Sequence, residues 1–65
     1  MMITAELREA ARKAERELCW ADAAKFWETA IAVYPNPVGN LAKADIARMK
    51  ERAISCRMTN AYEMR

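Results

Sequence analysis

Leu18-Cys19-Trp20-Ala21-Asp22-Ala23-Ala24-Lys25-Phe26-Trp27, LCWADAAKFW, gathers both tryptophans and the only phenylalanine of a 65-residue chain. If the segment is helical, Ala23 and Trp27 stand one turn apart on one face, a small residue beside a very large one. Phe26 then points about 100° away from Trp27 and must find another neighbour. Asp22 has the chemistry of an N-cap, so a helix is predicted over about 22–34. Its apolar stripe runs through Ala23, Phe26, Trp27, Ala30, Ile31, Val33 and Tyr34. Upstream of Trp20 the pattern changes, which makes LCW the turn between two helices.

The preceding helix is predicted over about 4–18, capped by Thr4. Leu7, Ala10, Ala11, Ala14 and Leu18 form a narrow apolar stripe at helical spacing. Glu6, Arg8, Glu9, Arg12, Lys13, Glu15, Arg16 and Glu17 fill the remaining positions and read as a solvated face. After Tyr34 comes PNPVGN, Pro35 to Asn40, which holds both prolines and the only glycine. A third helix is predicted over about 40–58, with Leu41, Ala42, Ile46, Met49, Ala53 and Cys56 on one side. Residues 59–65 carry Tyr62 and Met64 without a convincing period and read as a frayed tail.

The fold expected is therefore all-α: one three-helix domain over 1–65, an antiparallel helical hairpin closed by the third helix. Leu7-x2-Ala10-Ala11-x2-Ala14, then Ala23-x3-Trp27, Ala30 and Pro35, resembles the packing of one tetratricopeptide repeat, in which small residues bring two helices close. A single such unit makes no solenoid, so the likeness is to the packing and not to that family. The predicted core is Leu7, Ala11, Ala14, Leu18, Ala23, Trp27, Ala30, Ile46, Met49, Ala53 and Cys56.

A chain this short buries only about 60% of its unfolded surface and is marginal alone. Two cysteines and no histidine leave no ordinary zinc site, and no cofactor or metal is expected. Ser55 is the only serine, and no glycine loop can cradle a phosphate, so an enzyme is not expected. No apolar run approaches the roughly 20 residues that span a bilayer, and no secretory signal is legible, so the expected location is the cytoplasm. Cys19 and Cys56 are then free thiols by default. Self-association, with a dimer favoured, is the expected additional source of stability.

Glu17-x2-Trp20-x2-Ala23-Ala24-x2-Trp27 resembles the central signature of the AraC-negative-regulator family of enteric bacteria and their phages, to which the PerC-like regulators are related. Arg52-Ala53-x2-Cys56 is similar to the ending of that family's last helix. The turn position often held by glycine there is Cys19 here, and a position often held by tryptophan is Arg48. The resemblance implies a small helical cytoplasmic protein that binds a transcription factor, chiefly an AraC-type virulence activator, or a nucleoid protein.

Candidate partner-binding residues are Trp20, Phe26, Ile31, Tyr34, Leu41, Arg48 and Arg52, because aromatic and arginine side chains anchor protein interfaces. The third helix sets Lys43, Arg48, Lys50, Arg52 and Arg57 against Asp45 and Glu51. That excess could meet phosphate, so direct DNA or RNA binding is the alternative expectation. Inhibition of an unrelated host protein by a phage-encoded chain is a further one.

Overall fold

The computed structural model describes residues 3–35 and 38–63 and contains three helices: α1 (Ile3–Arg16), α2 (Trp20–Ala32) and α3 (Asn40–Glu63). The protein is an all-α three-helix fold. α2 lies between the other two and packs closely on each, whereas α1 and α3 meet mainly through side chains.

α1 ends earlier than its charge and alanine pattern suggests. The Leu18 N–H donates to the Glu15 carbonyl at 3.0 Å, and the Cys19 N–H to the Ala14 carbonyl at 2.8 Å. These are the two bonds of a Schellman stop, with Leu18 at the left-handed position, φ 60°. Leaving the helix there throws the Leu18 side chain into solvent, 65% exposed. Leu18 therefore does not belong to the core, because the helical period that placed it under Ala14 has already been broken. An L-residue in this conformation costs about 1–2 kcal/mol, which glycine avoids. Leu18→Gly should accordingly stabilise the fold by about 0.5–1 kcal/mol after allowing for the looser unfolded chain. The urea midpoint should rise with an unchanged slope; a fall would mean that something covers the leucine.

The same turn starts α2. The Cys19 carbonyl accepts the Ala23 N–H at 2.9 Å, and Cys19 occupies the cap position without a side-chain cap bond. Asp22 sits inside the first turn, where its charge still faces the positive end of the helix dipole. Thr4 likewise lies within α1 and does not cap it. The C-terminus of α2 closes through the Val33 N–H to Thr29 at 3.0 Å and the Tyr34 N–H to Ile31 at 3.2 Å, two residues short of the predicted end.

The core consists of Ala11, Ala14, Ala23, Ala24, Ala30 and Ala53 around Trp27, Met49 and Cys56. Alanines let three backbones approach closely, and Trp27, 4% exposed, fills the space they leave. Leu7 is half-buried against this cluster. Ile46 is half-buried and outside it. It stands one turn before Met49 and about 60° off its direction, at the edge of the buried sector.

α3 does not stop near Met58. Residues 59–63 continue the helix, Thr59 and Asn60 are half-buried, and the Trp20 indole N–H donates to the Glu63 carboxylate at 3.1 Å. The expected fraying of this segment is thus overturned for 59–63, since α2's first residue gives the far end of α3 a partner. At ~1.5 Å per residue, α3 spans about 36 Å, which accounts for the long axis of a 39 × 19 × 14 Å molecule.

Candidate functional site

The residues expected to bind a partner do not form one surface. Trp20, Phe26, Ile31 and Tyr34 are half-buried and lie against the core cluster. Trp20 is tethered to Glu63 at one end of the molecule. Tyr34, about 20 Å along α2, donates its hydroxyl to Asp45 at 2.8 Å at the other. That hydrogen bond is the main reason the Asp45 carboxyl is held below the usual carboxylate range, with Arg8 and Arg48 adding to it. The same bond raises the Tyr34 hydroxyl pKa. Leu41 is 89% exposed near the start of α3, outside the core cluster.

The arginines of α3 are engaged by acids, Arg48 on its own helix and Arg52 and Arg57 on the other two. Arg48 approaches Asp45 at 3.9 Å, and Arg52 pairs with Glu15. Arg57 grips Glu28 with two bonds, Nε at 2.6 Å and Nη2 at 2.5 Å, which lowers the Glu28 carboxyl pKa and raises that of the guanidinium. Glu15 is the surprise among the charges of α1. Its side chain is only 13% exposed, and it also accepts the Trp27 indole N–H at 2.7 Å and the Cys56 thiol at 3.6 Å. One carboxylate thus ties all three helices together. Burial, more than the carboxylate beside it, pushes the Cys56 thiol up to about 11, so this thiol is inert at neutral pH. Cys19 is exposed, and the two thiols are free.

Uncovered apolar surface lies elsewhere. Ile54, Met58 and Tyr62 are 59%, 68% and 78% exposed. Spaced four residues apart, they line one side of α3, opposite the Met49–Ala53–Cys56 line. Beside Ile54 a shallow groove of ≈ 290 Å³ opens between α2 and α3, walled by Glu28, Ile31, Lys50 and Ala53.

The sequence contained a signal for this stripe. Between Gly39 and Arg65 there is no proline or glycine, so nothing stops α3 at Met58, and Ile54-x3-Met58-x3-Tyr62 keeps helical spacing. Among the described residues no three His, Cys, Asp or Glu side chains converge as metal ligands, and no helix is long and apolar enough to cross a membrane. No family model matches the chain, and no curated protein or solved structure matches it.

Proposed function

We propose that this chain is a small regulatory adaptor that works by binding protein, without chemistry of its own. The observation that carries this reading is the stripe of Ile54, Met58 and Tyr62 left open to solvent on the outer side of α3. Three large apolar groups on one helical face, next to a shallow groove, suit an amphipathic helix laid alongside. Burying them on a partner is favourable by about 25 cal/mol per Å² of apolar surface. The resemblance around Trp20 and Trp27 supplies the class of target: a transcription factor, chiefly an AraC-type activator, met in the cytoplasm and inhibited by occupation of its surface. A second copy of the chain can use the same stripe, making a dimer the resting form.

Direct nucleic-acid binding is less well supported by the geometry. Arg57 is closed into its pair with Glu28, Arg52 pairs with Glu15 of α1, and Arg48 approaches Asp45 on its own helix, so each of these arginines already has an acidic neighbour that a duplex backbone would have to displace.

Met58→Glu places a charge in the middle of the stripe while touching nothing buried. Binding to a purified AraC-type activator, measured by calorimetry at moderate salt, should weaken roughly a hundredfold, with the helical circular dichroism unchanged. Phe26→Ala, on the opposite flank of α2, should weaken it far less. Equal binding by the Met58→Glu protein would dispose of the α3 face, and tight, steeply salt-dependent binding to duplex DNA would restore the alternative.

A further inference from the structure

A cleft between α1 and α3 carries four arginines on its walls, and the docking face makes no use of it. It has a volume of ≈ 380 Å³, with Trp27 and Met49 at its floor. Arg8 and Arg12 of α1 and Arg48 and Arg52 of α3 line it, and Asp45 is the one acidic residue among its walls. Four guanidiniums facing one small space repel each other unless anions neutralise them.

Except at Arg52, whose contact with Glu15 is the closest of the set, the anions the chain provides do this loosely. Asp45 is shared between Arg8 at 3.4 Å and Arg48 at 3.9 Å, both long for charged pairs, and is anchored to the Tyr34 hydroxyl at 2.8 Å. Arg12 reaches the outward Glu9, 70% exposed, at 3.3 Å. Arg52 meets Glu15 through a single nitrogen. Each guanidinium carries five N–H donors, so most donors on the cleft wall remain unspent.

We infer that this cleft is a binding site for a small phosphate-bearing molecule, whose oxyanion bridges the arginines of α1 and α3. Guanidinium forks match phosphate oxygens in shape and charge. The volume falls at the lower end of small-ligand sites, enough for a phosphate group with a modest organic part. The inference is independent of the docking face, which lies on the other side of α3. Because α1 and α3 meet mainly through side chains, an anion held by both adds a strut between them, and the folded state gains stability with ligand concentration.

Pyrophosphate and inorganic phosphate, titrated into the full chain at constant ionic strength, provide the test. Expected are a saturable change in tryptophan fluorescence and a rise in melting temperature, both absent when chloride replaces the oxyanion. Arg12→Gln and Arg48→Gln, whose side chains are 54% and 78% exposed, should keep the fold and weaken binding roughly tenfold or more. Lys50→Gln, outside the cleft, should leave it unaltered. A response that never saturates, that chloride reproduces, or that survives both arginine changes overturns the site. So does arginine-dependent binding of a single-stranded oligonucleotide without any of pyrophosphate, which would make the cleft a segment of a nucleic-acid track.

Discussion

Trp27→Ala should remove about 3–5 kcal/mol of unfolding free energy, a large share of what a chain this short has. Trp27 is 4% exposed and is the only aromatic residue in the buried cluster, six of whose nine members are alanines. Alanine has no side-chain reach, so the walls around the indole cannot lean inward to fill the void. The penalty should therefore lie toward the upper end of the range for large-to-small changes. A 65-residue chain has a total stability of only about 3–10 kcal/mol at the usual value per residue. Trp27→Phe keeps most of the volume and gives up the 2.7 Å bond to Glu15; about 1–2 kcal/mol should be lost. Trp20→Ala should fall below Trp27→Ala, because Trp20 is half-buried and its bond to Glu63 is at the exposed end of α3. Urea titration followed at 222 nm ranks the three. Near-equal losses for the two alanine variants would contradict a core organised around Trp27.

How far the sequence reached, and where it stopped, follows from which forces are local. The alanine stripes and Trp27 were legible because small and large residues at 3.6-residue spacing dictate close helix packing. PNPVGN announced its own break. Ala24 escaped the expected core although it is fully buried. α2 is covered on two sides, so its buried sector is wider than the single stripe of a helix packed on one side. Leu18 was misplaced because nothing in a leucine announces a left-handed residue; the two Schellman bonds that hold it there become visible only with the backbone. The end of α3 is legible in part, since no proline or glycine stops the helix after Met58, while its bond to Trp20, 43 residues away, shows only in the fold. A tail that reads as frayed hides the Ile54–Met58–Tyr62 stripe in the sequence, and the fold partly covers Trp20, Phe26, Ile31 and Tyr34. The arginine cleft was equally hidden: Arg8 and Arg12 belong to one charged run, Arg48 and Arg52 to another, and only tertiary structure places them together.

Glu15→Ala should destabilise the fold by about 2–4 kcal/mol, although its sequence context is that of an ordinary surface acid. Three donors from the other two helices converge on its carboxylate: the Trp27 indole N–H, the Arg52 guanidinium and the Cys56 thiol. Their fates after truncation differ. Arg52, 55% exposed, can turn to water with little loss. The indole N–H, on a residue 4% exposed, has no such escape, and an orphaned buried donor costs about 1–3 kcal/mol by itself. The thiol remains protonated, since burial is the largest cause of its raised pKa. The loss should therefore be carried mainly by the Glu15–Trp27 bond, which a double-mutant cycle isolates. In a Trp27→Phe background the donor is already gone, and Glu15→Ala should lose about 1–2 kcal/mol less than in the parent. If the two losses instead add to within about 0.5 kcal/mol, the carboxylate acts through Arg52 and solvent, and α1 is held to the core by its alanines alone.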